Sequence, residues 1–438
     1  MFAETSKAQF AVKKKLGEGG QGAVFLVEGP QGAQALKWYV SRQATDAQRS
    51  AVRYLVANGP PRGPASKRFI WPQDLVTAAG TQQFGYLMPL IDTGRFAELG
   101  EVWARRKPAP GLDVLCEISY QTSNSYRALH LSGHCYRDIS QGNLMFDPTT
   151  GDVLICDNDN VGINRQSDCQ VWGTMQYMAP ELVRGEAEHP STETDLHSLA
   201  VLLFQLWVWH HPLHGSMEYN VRCWDDPARK QIYGLTPVFI FDPTDGRNRL
   251  PNDPTYAIAA RRWAFCPPSL QALFVHAFSV GLEEPARRVT EGEWQNVFLQ
   301  LEDCAIRCPG CRAVNLWEPG LASPTCWNEK CRQAMTIPPR LVFSRPAGTH
   351  HLLLTRDARV LRRHIDPAGP EDQASVVLGA MKQNPNDPMV WGLCNLTATP
   401  WTATATDGTT VEVPPQKSVP LNPGRKLNIG GTLAEIVA

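Results

Sequence analysis

The chain predicts an α+β fold arranged as three successive units, and three observations lead there. From Phe10 to about Pro89, short apolar runs are broken by Gly, Pro and Asn, with one helical stretch near Asp46 to Ala57. From Leu112 to about Leu301 helical spacing dominates, and after Pro338 short β-like runs return. A compact group of cysteines between Cys308 and Cys331 separates these last two regions. At 438 residues the chain is longer than one ordinary core organises, so two or three domains are expected.

The first unit is a small sheet carrying one helix. In the second, Leu112 to Leu131, Asp195 to Trp209 and Ser269 to Leu282 have helix-like apolar spacing; Gly215 to Pro267, rich in Pro, Asp and aromatics, reads as a possible insertion. In the tail, Val342-Phe343, Leu352 to Leu354, Ser375 to Leu378, Val411 to Val413 and Leu427 to Ile429 are strand candidates, and Asp407-Gly408 is a two-residue hairpin signal between alternating residues from Trp401 to Val413.

Composition narrows the function. Apolar residues make up 43% and charged residues 19%, a globular balance with ample core material. A net charge of −1 supplies no long-range attraction for nucleic acid or an anionic membrane, so neither partner is expected. Lys13 to Lys15 is not followed by a long apolar segment, and Leu196 to Trp209 contains His197 and Gln205 and falls about four to six residues short of a bilayer span. It reads as a buried core helix. The expected location is cytoplasmic, where the twelve cysteines are metal ligands or packing residues rather than disulfides.

The chemistry concentrates in Tyr136-Arg137-Asp138-Ile139-Ser140-Gln141-Gly142-Asn143 and in Asp157, which closes the apolar run Val153 to Cys156. Upstream, Leu16-Gly17-Glu18-Gly19-Gly20-Gln21-Gly22-Ala23-Val24 is a glycine-rich turn whose backbone can approach phosphate oxygens, and Lys37 ends the next strand-like run. Downstream, Gly173 to Glu181 reads Gly-Thr-Met-Gln-Tyr-Met-Ala-Pro-Glu, followed by Asp195 to Ala200 and Glu284 to Arg288.

On these residues, positions 8–302 resemble a eukaryotic-type serine/threonine protein kinase domain of bacterial character, which implies a bilobal fold using ATP and Mg²⁺. The resemblance implies Asp138 as catalytic base, Asn143 and Asp157 as magnesium ligands, and Lys37 as the cation on the α- and β-phosphates. It places adenine between Leu16, Val24, Ala35 and Met145, with Met88 as gatekeeper, Pro89 and Ile91 meeting the adenine edge, and Gly17, Gly19 and Gly22 over the phosphates. It also implies Thr174 in the substrate-hydroxyl pocket, a Glu181–Arg288 ion pair, Asp195 bracing the catalytic loop, and Arg137 answering a phosphorylated residue for which Ser167 is the candidate.

Departures from that pattern are specific. Tyr136 stands where the family has histidine, Ser140 where it has lysine, and Asn158-Asp159 where it has Phe-Gly. No glutamate occurs between Glu28 and Glu98, so Lys37 lacks its usual helix partner, with Asp46 and Gln48 as the nearby polar substitutes. Asp159 adds a carboxylate near the metals. The expected activity is γ-phosphoryl transfer to a protein Ser or Thr hydroxyl; the alternative is a pseudokinase scaffold that binds nucleotide and recruits partners.

Cys308-Pro309-Gly310-Cys311 and Cys326-Trp327-Asn328-Glu329-Lys330-Cys331 have the spacing of a closed four-thiolate zinc site, so 303–337 is expected to be a structural zinc ribbon, with Cys304 a packing residue. Residues 338–438 resemble a forkhead-associated-like β-sandwich through Asn395-Leu396-Thr397 and Gly424 to Gly430; the family's phosphothreonine-reading elements are absent from their usual places, leaving a partner-binding sandwich. The combination resembles bacterial signalling kinases that act beside a phosphatase and a von Willebrand A-type protein.

Overall fold

The computed structural model describes residues 1–166, 172–345 and 348–438. The chain divides into two compact units: Met1–Pro110 with Glu117–Gln295, and Gly111–Cys116 with Asn296–Ala438.

In the first unit, strands β1 (Phe2–Ala3), β2 (Ala11–Glu18), β3 (Gly22–Gly29), β4 (Gly32–Tyr39), β5 (Asp74–Thr77) and β6 (Phe84–Met88) form one sheet in the order β1-β5-β6-β4-β3-β2. Every pairing is antiparallel. Strand alternation gives this sheet two buried faces. Leu36, Val27, Val76 and Leu87 pack with Phe10 and Ala3 on one side, while Ala35, Tyr39, Leu75, Phe84, Tyr86 and Met88 pack with Val52 of helix α1 (Asp46–Asn58) on the other. Helix α1 starts where the Thr45 hydroxyl accepts the Gln48 N–H at 3.1 Å as its N-cap.

The rest of this unit is mainly helical. Helix α2 (Leu112–Leu131), which belongs to this unit from Glu117 on, matches the periodicity of the sequence, and α3 (Thr192–Val208) is buried along almost its whole length, as a helix apolar all round must be. Between them, Leu144–Phe146 pairs with Val153–Ile155 as a hairpin. The helix expected from Ser269 to Leu282 is two pieces, Pro268–Ala277 and Val280–Glu283; the Ser279 hydroxyl donates to the Val275 carbonyl at 2.6 Å where the first stops. Among the described residues no single helix is long and apolar enough to cross a membrane; one pair bent by 118°, Pro254–Phe265 with Pro268–Glu283, passes by length and composition.

The second unit opens with a hairpin of Ala305–Arg307 and Val314–Leu316 around the cysteines. Beyond it, a six-stranded sheet including Arg340–Arg345, Trp401–Thr404 and Thr432–Val437 and a four-stranded sheet including Val377–Asn384 and Asp387–Asn395 share one core, with Leu341, Phe343, Val360, Leu393, Trp401 and Leu427 at its centre. The two-residue hairpin expected at Asp407-Gly408 is a longer loop. Ala405 N–H bonds the Thr409 carbonyl and Gly408 N–H the Ala405 carbonyl, leaving Thr406, Asp407 and Gly408 in the turn. Only Gly408 is left-handed, with φ of 87°, which suits a type I turn with a glycine bulge and not the two positive-φ residues of a type I′ turn.

Replacing the fully buried Phe343 by Ala should cost the second unit about 3–5 kcal/mol. Denaturant unfolding followed by hydrogen exchange should show lost protection across 341–436, with the first unit's slow amides unchanged.

Candidate active site

The inner face of the small sheet presents a row of side chains set by strand alternation. Ala35, Lys37 and Tyr39 lie on one face of β4, and cross-strand pairing puts Tyr86 beside Lys37 and Met88 beside Ala35. Ala35 and Met88 are buried, Val24 and Ile91 partly so, and Met145 is buried on the hairpin below, while Leu16 on the outermost strand is exposed. Gly22 allows the glycine-rich turn to lie against β4, since a Cβ there would sit 2.3 Å from the Trp38 carbonyl oxygen. Gly17 and Gly19 face open space, and the Gly19 N–H is used internally by the Gly22 carbonyl at 2.8 Å.

Below the sheet, the loop of residues 136–143 is held from α3. Asp195 accepts the Arg137 N–H at 3.0 Å through Oδ1, and the Tyr136 N–H through Oδ2. These bonds hold Arg137 in the left-handed region, φ 75°, a conformation that persists only where its surroundings over-determine it. His130 joins Asp195 at 3.0 Å through Nε2 and Glu291 through Nδ1. Burial disfavours the imidazolium, but hydrogen bonds and charge from both carboxylates outweigh it and raise the His130 pKa to about 9.

The loop brings Asp138, Asn143 and Asp157 together. Asn143 Nδ2 donates to the Asp138 carbonyl at 2.9 Å and its carboxylate at 3.3 Å. The Thr174 hydroxyl and N–H both donate to Asp138 Oδ1 at 2.9 Å. Burial raises the Asp138 pKa against these bonds, moving the carboxylate toward a stronger base. The Tyr136 hydroxyl donates to the Cys156 carbonyl, fixing the chain just before Asp157. Asp157 is left-handed at φ 49°. Its carboxylate is 40% exposed and lies 3.5 Å from the Lys37 ammonium. Burial raises its pKa, Lys37 opposing and Asp159 adding.

Lys37 is the correction to the sequence reading. It is not left to wander without its glutamate, and neither Asp46 nor Gln48 supplies the charge. Its ammonium donates to Asp159 Oδ1 and Oδ2 at 2.9 and 3.0 Å and to Gln21 Oε1 at 2.8 Å. The Asp159 carboxylate is enclosed: Tyr39 donates to its Oδ2, and Tyr86 to its Oδ1 at 2.8 Å. Gln48 Nε2 donates to the Tyr39 hydroxyl at 3.0 Å, so among the described residues the polar link from α1 to the cluster is a neutral amide, beside the apolar packing of Val52. Gln21 also donates to Asn160 Oδ1 at 3.1 Å. Gln21, Tyr39, Tyr86 and Asn160 were missed as site residues; the Lys37-x-Tyr39 spacing, which puts both side chains on one strand face, was the available signal. Asn158 is fully buried, with Nδ2 on the Ile155 carbonyl at 2.8 Å, and Ser140 brings no charge to the site. Glu181 and Arg288 form a bidentate pair at 2.8 and 2.7 Å. Ser167 lies outside the described residues.

In the second unit, Cys308, Cys311, Cys326 and Cys331 bring their sulfurs within 4.8 Å of one another, with Cys308–Cys331 at 3.7 Å and Cys311–Cys326 at 3.6 Å. Those separations are far beyond the 2.0 Å or so of a disulfide and match the edge of about 3.8 Å that a tetrahedron with Zn–S near 2.3 Å requires. Arg312 and Arg332, following the second cysteine of each pair, are both left-handed, closing two similar knuckles. Asn315 Nδ2 points at Cys326 Sγ at 3.9 Å. Cys304 is buried beside them in the packing of Ile306, Trp317 and Met335. A second group, Asp303, His350 and His364, is a hydrogen-bonded cluster closed by an arginine. Arg363 donates to Asp303 at 2.9 Å, and His364 Nδ1 accepts the Leu361 N–H, leaving its proton on the Nε2 that faces Asp303.

Comparison with known proteins agrees with this geometry. Residues 70–236 match the family model of the protein kinase domain. The chain is 33% identical over 143 residues to protein kinase gsk31 of Schizosaccharomyces pombe, covering 31% of this chain and 37% of that protein. It is 23% identical over 327 residues to protein kinase YegI of Escherichia coli, covering 69% of this chain and 48% of that protein. With the serine/threonine-protein kinase PkaB of Streptomyces coelicolor it shares 23% identity over 220 residues, 48% of this chain and 51% of that one. The chain thus spans between about a third and a half of the length of these relatives.

The charged His130 predicts a pH signature. Its folded pKa lies above the ordinary 6.5, so its stabilisation is complete below pH 6.5 and is lost as pH rises through about 9. Thermal melts of wild type against His130→Gln should converge over that interval, with the wild type giving up as much as about 3 kcal/mol.

Proposed function

We propose that the chain is an ATP- and Mg²⁺-dependent serine/threonine protein kinase. The observation that carries the reading is the single constellation of Asp138, Asn143, Asp157 and Lys37, with Thr174 on the base. Asp138 would accept the proton of a protein Ser or Thr hydroxyl as its oxygen attacks the γ-phosphorus. Asn143 and Asp157 are the residues to hold Mg²⁺, which when bound neutralises charge on the triphosphate. Lys37 would meet the α- and β-phosphates from the sheet side, and the apolar row of Val24, Ala35, Met88 and Met145 would take the adenine. Preorganisation supplies most of the effect, because the loop backbone is already held by Asp195 before any substrate arrives.

The reading extends to the second unit. Four thiolates with no open position describe a structural Zn²⁺, which ties the ribbon hairpin together. The two-sheet module after it would present a surface to a protein partner, such as a cognate phosphatase or a von Willebrand A-type protein in a bacterial signalling set. None of the described cysteines is joined in a disulfide; a reducing, cytoplasmic setting is part of the same reading.

Single-turnover transfer from labelled ATP to protein tests the enzyme. Wild type should label, and Asp138→Ala and Asp157→Ala should each fall by about a hundredfold or more. Equally weak labelling by all three, with ATP still bound, would leave a nucleotide-binding scaffold in place of an enzyme. For the ribbon, elemental analysis of purified chain should find about one zinc per molecule, and Cys311→Ser should lose it together with hydrogen-exchange protection in 304–335. Metal content far below one would sink the zinc assignment.

A further inference from the structure

The carboxylate that anchors Lys37 sits on the segment following Asp157, and its surroundings say what it does. The Lys37 side chain is 5% exposed and that of Asp159 0%, so each charge is tolerable only with the other in place. Asp159 offers roughly four acceptor sites, and four donor contacts converge on it: Lys37 on both oxygens, Tyr86 on Oδ1 and Tyr39 on Oδ2. No lone pair remains directed at the open side, where a magnesium ion would be held. Asp157, with its partly exposed carboxylate, is the one available to metal.

Lys37 has three N–H bonds to distribute. One is committed to Asp159. The contacts to Gln21 at 2.8 Å and toward Asp157 at 3.5 Å are those a phosphate oxygen could take over. Among the described residues the polar contact from helix α1 is Gln48, whose amide touches the Tyr39 hydroxyl and, at 3.5 Å, the Asp159 carbonyl, while Val52 supplies only apolar packing.

We propose that Asp159 is a positioning residue: it orients the Lys37 ammonium toward the phosphates of a bound nucleoside triphosphate. The duty otherwise given to a glutamate on the small-lobe helix is carried by the segment 157–160. It rests on the reading of the site as one that binds ATP. It follows that the phosphate clamp opens and closes with the conformation of 157–160, and that moving α1 does not by itself strip Lys37 of its counter-ion.

The test needs no turnover. Equilibrium binding of a fluorescent ATP analogue with Mg²⁺, and of the matching fluorescent adenosine, is measured on the full chain. Asp159→Asn should weaken the ATP analogue about tenfold or more and leave the adenosine affinity within about twofold. In a Lys37→Ala background the same change should add nothing further, because the two residues act as one unit. The Mg²⁺ concentration for half-maximal binding should not move. Asp46→Ala, on the exposed first turn of α1, should bind like wild type. Equal losses for ATP and adenosine, additive losses with Lys37→Ala, a large shift in Mg²⁺ dependence, or an Asp46→Ala defect as large as that of Asp159→Asn would each overturn the proposal. Should Asp159→Asn not fold, Tyr86→Phe removes one donor that orients the carboxylate without changing charge, and a smaller loss confined to the ATP analogue is expected; an unchanged affinity would count against the proposal. A chain that binds ATP through this clamp yet transfers no phosphate would sink the kinase reading and leave the positioning role standing. Active transfer with Asp159→Asn unimpaired would do the reverse.

Discussion

An ammonium group buried under a sheet must have a carboxylate within reach, because the alternative is an uncompensated charge out of water. That requirement at Lys37 organises the site. The ion pair with Asp159 joins β4 to the segment after Asp157, and the two tyrosines that donate to the same carboxylate come from β4 and β6. With Asp159 so held, Asp157 immediately before it is left at φ 49° with its carboxylate toward the open side. The position of the ammonium and the position of the exposed carboxylate of Asp157 are therefore one structural fact.

The same logic recurs in the floor of the site. Asp195 is buried on α3 and spends its oxygens on two consecutive backbone N–H groups and on a charged His130, which Glu291 also holds. A carboxylate with that many donors is rigid, and the rigidity passes to the loop bearing Asp138 and Asn143. Tyr136, in a position where the resemblance expects histidine, still reaches the Cys156 carbonyl, so the loop and the Asp157 segment remain tied by a different donor. In the second unit, Asp303 is paired with Arg363 and hydrogen-bonded by His350 and His364.

Much of the architecture could be read from local pattern. Helix α2 emerged with its periodic boundaries, α1 lay where a helical stretch was expected near Asp46, and the four cysteines carried their spacing openly. These features depend on residues a few positions apart, where strand, helix and knuckle geometry impose fixed offsets. Even the loop around Gly408, longer than expected, differs only in which turn a lone left-handed glycine permits.

The partner of Lys37 was a different kind of question. Absence of a glutamate between Glu28 and Glu98 was plain in the chain, and from it an unpaired lysine was the natural expectation. Folding brings in Asp159, 122 residues away, and spends its acceptors on Lys37, Tyr39 and Tyr86. Electroneutrality in a dry interior demands a counter-ion without specifying which segment brings it, so sequence order carries no record of that choice. The candidate residues are thus named by the chain alone, whereas which of two neighbouring aspartates holds the lysine and which keeps an exposed carboxylate is decided by how the sheet and the loop close on each other.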